Sequence, residues 1–401
     1  MEILALHFLD LEGNTHTTTP PTTHLRRKLD PSDSTSPVPG VNSDAADAFA
    51  FIYGVVGPTI VTFGLIGNIL ILFVVGRSRM EGAIPVYLSA LALSDMGALL
   101  SSIPLWIRLA QKVACSHWNA FYYGHLELFI LNTFMAASIF NVVALTVERY
   151  TSVCLAGQFP KIHTPLRAKM AVATSFLLGL IVSFPLCILK YVVVNSEEEM
   201  MAKNLSECRF QYLENRNVTA HPLWTAYVWI GESLVRFLPG LILVILNMLI
   251  LIKYHGVVKT RRQMQRGQPN ANANGNNGRS NRNLEQERKL LTLLLSIIVL
   301  FFITNIPSAV LSIIYDQELE DSHSFQVFRA VANLLEMSNF ALNFCMYFLC
   351  SKEFRKMLYK AMPQCGFSKF FILSSTTSNS QSSNPQTVPN TLSGTLNNHP
   401  P

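Results

Sequence analysis

Seven long apolar stretches constrain the fold of this chain more than any other feature of its sequence. A transmembrane helix needs roughly 20 mostly apolar residues to cross about 30 Å of hydrocarbon, and every stretch is long enough. The chain is 50% hydrophobic and only 14% charged, whereas soluble domains carry roughly 25% charged residues. This composition disfavours a soluble enzyme, and we predict an all-α bundle of seven membrane-spanning helices. The predicted spans are approximately residues 49–76, 83–107, 122–153, 168–192, 223–252, 289–315 and 325–350.

The distribution of charge predicts the orientation of the bundle. If the N-terminus lies outside, the inner segments contain 19 basic and 4 acidic residues, and the outer segments contain 8 basic and 16 acidic residues. Because Lys and Arg accumulate on the cytoplasmic side, we predict an outer N-terminus and an inner C-terminus. The N-terminal residues lack the basic stretch of a signal peptide, so we expect the first span to insert uncleaved. The net charge of +6 is too small and too scattered for a nucleic-acid-binding protein.

Three segments have the composition of a disordered chain. Residues 1–48 contain a Thr-, Pro- and Ser-rich part, the third inner loop (about 255–286) contains an Asn- and Gly-rich part, and residues 358–401 end in a Ser-, Thr- and Asn-rich part. Such compositions bury too little apolar surface to fold, so we predict a folded region at 49–357 between two disordered tails. The hydroxyl residues from Ser374 to Ser383 are candidate phosphorylation sites, and a solvated tail without a role is the alternative.

The predicted outer loops carry two kinds of extracellular signal. Asn204 and Asn217 begin Asn-x-Ser/Thr motifs, which accept N-linked glycans. Of the seven cysteines, only Cys115 and Cys208 fall in outer segments. An oxidising exterior favours a disulfide between these two residues.

Charged residues within or at the ends of the spans are candidates for function, because burying a charge in hydrocarbon is costly. For Lys190 and Arg329, near span ends, the alternative is that the charged group reaches out to water. Glu232 and Arg236 are spaced i, i+4 and could simply neutralise each other on one helix face. The charged residues are Asp95, Glu127, Glu148, Arg149, Lys190, Glu232, Arg236, Arg329 and Glu336.

Seven motifs, each on a different span or at a span end, carry a resemblance to a known family. The third span ends in Glu148-Arg149-Tyr150, and the seventh contains Asn343-Phe344-Cys345-Met346-Tyr347 where the family has Asn-Pro-x-x-Tyr. The sequence thus resembles the rhodopsin-like G-protein-coupled receptors over about residues 50–357, including a short amphipathic eighth helix. The other matches are Gly67-Asn68, Leu91-Ala92-Leu93-Ser94-Asp95, Pro239, Phe301 with Pro307, and Phe354-Arg355.

Departures from the family pattern resemble one subgroup, the FMRFamide-receptor-like group of invertebrate neuropeptide receptors. The sixth span has Asn305 before Pro307 where a Trp is usual, Asn247 follows Pro239, Phe344 replaces a Pro, and the fourth span has no Trp. The usual third-helix Cys is Gly124, so Cys115 is the substitute partner for Cys208.

The resemblance implies a two-state switch in the plasma membrane, without a cofactor other than a sodium ion. A ligand outside biases helix packing, and inside Arg149 leaves its carboxylate partner while the sixth helix moves outward to admit a heterotrimeric G protein. Arrestin, receptor kinases and membrane lipid are further implied partners. The implied switch residues are Glu148, Arg149, Tyr150, Glu287, Asn343 and Tyr347, and the implied sodium pocket comprises Asp95, Ser138, Asn339 and Asn343.

The implied ligand is a short, basic, amidated peptide. The family's amine receptors need an Asp where this chain has Leu131, and opsins need a Lys where it has Met337. Acidic outer loops would attract a basic peptide. The candidate ligand contacts are Glu127, Asn132, Glu232, Arg236 and Glu336.

Two other functions remain as alternatives. One is a receptor of the same fold for a non-peptide ligand, and the other is a transporter that uses the intramembrane acids as a proton relay. An enzyme is not expected, because the sequence shows no nucleophile or metal-ligand constellation.

Overall fold

The computed structural model describes residues 51–77, 82–110, 116–155, 164–194, 210–267, 276–314, 323–350 and 352–361. Within them the chain forms eight helices of ten residues or more, one helical turn at Arg216–Thr219 and one pair of antiparallel strands. The helices are α1 (Ile52–Arg77), α2 (Ile84–Ala110), α3 (His117–Cys154), α4 (Pro165–Ile188), α5 (Pro222–Glu232, Ser233–Phe237 and Leu238–Gly267 in succession), α6 (Asn276–Ile314), α7 (His323–Cys350) and α8 (Lys352–Ala361).

Helices α1 to α7 confirm the predicted helical bundle. Six of them, α1 to α6, are long and apolar enough to cross a membrane. Helix α7 has 28 residues and is therefore long enough as well. Its average hydropathy is lowered by polar residues that lie buried in the bundle, namely Arg329, Asn333, Glu336, Asn339 and Asn343.

Close packing of α3 against its neighbours forms the centre of the bundle. Helix α3 contacts α2, α4 and α5, and α7 packs between α1 and α6. A Cβ atom at Gly179 of α4 would lie only 2.7 Å from the carbonyl oxygen of Thr133, so only glycine permits this approach of α4 to α3. Asn68 of α1 donates Nδ2 hydrogen bonds to the carbonyl oxygens of Gly64 and Phe340, which ties α1 to α7.

The segment after α4 corrects the predicted end of the fourth span. That span was expected to continue to residue 192, but Lys190–Val194 forms strand β1, which pairs antiparallel with β2 (Phe210–Glu214). The register runs from Lys190 opposite Glu214 to Val194 opposite Phe210. Pro185 disrupts the helical hydrogen bonding, and the three consecutive valines after Tyr191 favour an extended backbone.

The inner connection between the fifth and sixth spans is shorter than the predicted loop. Helix α5 continues to Gly267 and α6 begins at Asn276, so much of 255–286 is helical. Charged and Gln residues with good helix propensity follow the apolar part of α5, and the Asn- and Gly-rich composition begins only near its end. Residues 268–275 and both predicted tails up to 50 and from 362 lie outside the described residues.

Helix α8 confirms the expected short amphipathic helix. Phe354 and Leu358 are buried against the inner ends of α1 and α7. Arg355 donates hydrogen bonds from Nη1 to the carbonyl oxygens of Phe348 and Leu349, at 2.8 and 2.9 Å. These bonds satisfy the last carbonyl groups of α7 and fix the angle between the two helices.

Candidate functional site

A buried ionic cluster lies between α5, α6 and α7 on the predicted outer side of the bundle. Arg236 of α5 is its centre, with Nη1 at 2.8 Å from Oε2 of Glu232 and Nη2 at 2.8 Å from Oε1 of Glu336. Arg236, Glu232 and Glu336 are only 4%, 4% and 3% exposed. Paired charges tolerate such burial because each ion compensates the desolvation of the other. Two carboxylates thus share one guanidinium in this cluster.

The same guanidinium also binds α6, which the sequence did not reveal. Nη1 of Arg236 donates to the carbonyl oxygen of Ser308 at 3.2 Å and to Oγ of Ser312 at 3.0 Å. Ser308 in turn donates its hydroxyl to the carbonyl oxygen of Ala332 on α7. These contacts lie within two turns after Pro307, where α6 lacks one backbone hydrogen bond. In the sequence, only the position of Ser308 and Ser312 shortly after Pro307 could have indicated this contact of Arg236 with α6.

A π turn at Ser233–Phe237 contains Arg236. Here the N–H of Leu238 donates to the carbonyl oxygen of Ser233, five residues earlier, so the helix is locally wider than an α-helix. Single π turns of this kind occur often at functional sites because they redirect side chains. A second π turn, Tyr122–Leu126, directly precedes Glu127 on α3.

A small cleft of about 20 Å³, roughly the room of one water molecule, adjoins the cluster between α3, α4 and α5. Arg236 and Glu232 belong to its wall, and Asn132 of α3 lines it as well. The structure thus brings three of the five predicted ligand residues to one cleft. Glu336 is not a lining residue of the cleft but forms an ion pair with Arg236, which is. The other lining residues are Val182, Ser183, Leu186, Gly231 and Val235.

Glu127, Lys190 and Arg329 are all buried, at 0%, 1% and 2% exposure. The interpretation that Lys190 and Arg329 reach out to water is therefore wrong. Nζ of Lys190 donates to the carbonyl oxygen of Tyr123 at 3.4 Å and lies 4.6 Å from the ring centre of Tyr212. A cation over an aromatic face is stabilised by the ring quadrupole, so the hairpin holds Lys190 in place.

Asp95 lies fully buried in the middle of the bundle. It accepts hydrogen bonds from Oγ of Ser138 and, at 2.6 Å, from Nδ2 of Asn343. Three of the four predicted sodium ligands therefore meet. Asn339 is one turn before Asn343 and is also buried, without a hydrogen bond to Asp95 among the described residues. Carboxylate, hydroxyl and amide oxygens are the donor set that a hard cation prefers, so this group of residues fits sodium.

Three of the predicted switch residues, Glu148, Arg149 and Tyr150, lie at the inner end of α3. Glu148 is buried, and Arg149 and Tyr150 are half-buried. Arg149 is close enough to Glu148 and to Tyr347 of α7 for electrostatic interaction. The Tyr347 hydroxyl is buried without a hydrogen bond to any described residue. The side chain of Glu287, on α6, lies outside the described part of the structure.

The extracellular predictions fall largely on residues that the structure does not describe. Cys115, Cys208 and Asn204 lie outside the described residues. Asn217 is exposed in a helical turn at Arg216–Thr219, where a glycan would find space.

The comparison with known families decides the class of this protein. The family described as 7 transmembrane receptor (rhodopsin family) matches residues 67–347. The chain belongs to this family. It is therefore a G-protein-coupled receptor and a multi-pass membrane protein, typically of the plasma membrane, and it is neither an enzyme nor a transporter. A ligand and a G protein are its implied partners.

Individual relatives of the receptor agree with this membership. Two probable G-protein coupled receptors of Caenorhabditis elegans are 28% and 29% identical to it, over 80% and 75% of this chain and 73% of each relative. The FMRFamide receptor of Drosophila melanogaster is 25% identical over 77% of this chain and 53% of its own length.

Proposed function

We propose that this receptor binds a short amidated peptide with a basic residue near its C-terminus and then activates a heterotrimeric G protein. The observation that carries the proposal is the buried cluster of Glu232, Arg236 and Glu336, in which two carboxylates share one guanidinium beside a small cleft. A basic group of a ligand that reached these carboxylates would compete with Arg236 for them. A charge-assisted hydrogen bond of this kind contributes roughly 1.5–3 kcal/mol.

Similarity to other receptors also supports a peptide ligand. The relative from Drosophila melanogaster is named as a receptor for FMRFamide, an amidated peptide. In the present chain Leu131 and Met337 stand where amine receptors and opsins carry their ligand-binding residues. Neither of those ligand classes is therefore proposed.

We also propose the intracellular steps and the modifications that the sequence predicts. Arg149 is the switch residue, Glu148 and Glu287 are its candidate partners, and arrestin, receptor kinases and membrane lipid interact with the inner face. A sodium ion held by Asp95, Ser138, Asn339 and Asn343 would supply a positive charge between α2, α3 and α7. A disulfide between Cys115 and Cys208 and glycans at Asn204 and Asn217 belong to the outer face.

The test is ligand-stimulated nucleotide exchange on G protein co-expressed with the receptor. FMRFamide and other amidated peptides with a basic residue near the C-terminus should stimulate exchange. Glu127→Gln, Glu232→Gln and Glu336→Gln each remove one candidate acid, and at least one of them should weaken potency by about tenfold or more. Glu214→Gln is the matched control on strand β2, outside the cleft.

Two results would overturn the proposal. One is unchanged peptide potency in all three variants at equal surface expression. The other is a response to a neutral lipid or another non-peptide ligand alone, which would favour the alternative receptor function.

A further inference from the structure

The hydrogen bonds of Arg236 hold one particular part of α6. Nη1 of Arg236 donates to the carbonyl oxygen of Ser308 at 3.2 Å and to Oγ of Ser312 at 3.0 Å, and both serines follow Pro307. Nη2 donates to Oε1 of Glu336 at 2.8 Å, which connects the same guanidinium to α7. The outer half of α6 is therefore bonded to α5 and α7 through one side chain.

The bonds on this outer half are shielded from water. Ser308, Ser312 and Arg236 are only 0%, 4% and 4% exposed. The hydroxyl of Ser308 also donates to the carbonyl oxygen of Ala332 on α7 at 3.1 Å. Because bulk water does not reach these groups, a movement of α6 away from Arg236 leaves buried polar atoms unsatisfied.

The inner half of α6 packs against the end of α7. Ile297, ten residues before Pro307, belongs to the same buried apolar cluster as Tyr347 of α7. One residue earlier, Ser296 accepts a hydrogen bond of 3.3 Å from the thiol of Cys350 at the end of α7. The outward movement of α6 that the implied switch requires would break these inner contacts. The arrangement in the structure is thus the one that precedes this movement.

The continuity of α6 links its two halves mechanically. The helix runs from Asn276 to Ile314, and Pro307 removes only one of its backbone hydrogen bonds. When the inner half of such a helix tilts outward, its outer half shifts relative to α5 and α7. That shift lengthens the bonds between Arg236 and α6.

We infer that Arg236 is a positioning residue of the activation switch. By holding the outer half of α6 against α5 and α7, it opposes the outward movement of the inner half. The inference rests on the proposed activation of a G protein and adds a restraint on the outer side of the bundle, far from Arg149.

Ser312→Ala is the most selective test, because Ser312 is not a candidate ligand contact and its hydroxyl accepts from Arg236. Basal nucleotide exchange, measured without peptide at equal surface expression, should rise about twofold or more. Glu336→Gln removes the charge that positions the guanidinium and should raise basal exchange about fivefold or more. The double variant should exceed both single variants.

Two substitutions of the same kinds serve as controls. Ser338→Ala removes a hydroxyl of α7 that bonds the carbonyl oxygen of Leu335 in its own helix, and Glu214→Gln changes a residue of strand β2. Neither residue takes part in the bonds of Arg236, so basal exchange should stay at the wild-type level. A general loss of stability lowers exchange and melting temperature together, whereas loss of the restraint raises exchange.

Spin labels report the movement of α6 without a ligand or a G protein. They are placed at Val147 of α3 and Val299 of α6, whose side chains are 43% and 56% exposed, in receptor whose unpaired cysteines are replaced by serine. Double electron–electron resonance in detergent measures the distances between the labels. The distribution should shift toward longer distances in Ser312→Ala and Glu336→Gln.

An unchanged distance distribution in both variants would overturn the inference, and so would a rise of basal exchange in Ser338→Ala equal to that in Ser312→Ala. Longer distances without a rise in exchange would support the restraint and count against coupling to the G protein tested. A receptor that responds to no peptide but shows both effects would overturn the proposed ligand and leave this inference standing.

Discussion

Arg236 and Glu336 form an ion pair of 2.8 Å that joins α5 to α7 across 100 residues of sequence. The same guanidinium contacts Ser308 and Ser312 of α6, so a single side chain connects three helices. The switch implied by the family requires α6 to move relative to α5 and α7. A ligand that competes for these carboxylates would therefore act on the packing of α6 directly after Pro307.

The first prediction concerns the stability that this bridge provides. Arg236→Met leaves the buried carboxylate of Glu336 without its ion-pair partner and removes one partner of Glu232, which should lower the free energy of unfolding by roughly 3–5 kcal/mol. Thermal unfolding of purified receptor in detergent measures the loss. Arg236→Lys keeps the positive charge, but a lysine lacks the planar fork that binds both carboxylates. This variant should therefore keep only part of the stability that Arg236 provides.

A double variant tests whether the loss comes from the carboxylate of Glu336 when Arg236 no longer neutralises it. Arg236→Met combined with Glu336→Gln also removes the negative charge of Glu336 and should be more stable than Arg236→Met alone. If the effects of the two substitutions simply add, Arg236 and Glu336 do not interact energetically.

A second prediction concerns the inner switch. If Glu287 holds Arg149 in the resting state, Glu287→Ala should raise basal nucleotide exchange at equal surface expression. Helix α6 extends inward to Asn276, so residue 287 lies on its inner part as the prediction requires. Glu287→Gln is the conservative comparison, because it keeps the side-chain size and loses only the charge. Unchanged basal exchange in both variants would leave Glu148 as the sole acidic partner.

The ionic cluster shows what sequence reasoning can and cannot reach in a membrane protein. Glu232, Arg236 and Glu336 were identifiable because a charge in an apolar span is costly and therefore conspicuous. The interpretation that Glu232 and Arg236 only neutralise each other captured one of the two ion pairs. The contact with Glu336 depends on how α5 and α7 face each other. Serine hydroxyls in helices usually bond to their own backbone, so Ser312 carried no comparable signal.

The ends of the helices were harder to predict than their centres. Hydropathy locates the part of a helix within hydrocarbon, but α5 continues past it to Gly267 because polar residues can propagate a helix in water. At Lys190 the opposite occurs, since the apolar run continues while the backbone becomes a strand. Its β-branched valines were the available signal, but apolar runs of this length do not distinguish strand from helix by periodicity.

A third prediction is the disulfide between Cys115 and Cys208. Peptides from unreduced receptor should contain the two cysteines covalently linked, as detected by mass spectrometry. Reduction should release the outer loops and weaken peptide binding while leaving the buried cluster intact. Cys154, Cys187, Cys345 and Cys350 are free thiols in the structure and serve as the internal reference for unlinked cysteines. Free thiols at both positions in folded receptor would contradict the prediction.

The fourth prediction concerns Asp95, which accepts hydrogen bonds from Ser138 of α3 and Asn343 of α7. If sodium binds there in the resting state, replacing sodium chloride by choline chloride should increase agonist potency, because the resting state loses a ligand that stabilises it. Asp95→Asn removes the carboxylate that a cation needs and should abolish this sodium dependence, whereas Asn339→Ala should only weaken it. Agonist dose–response curves in the two salts at equal ionic strength measure the effect. A wild-type receptor whose potency does not respond to sodium, or an Asp95→Asn variant that keeps the full response, would place no sodium ion at Asp95.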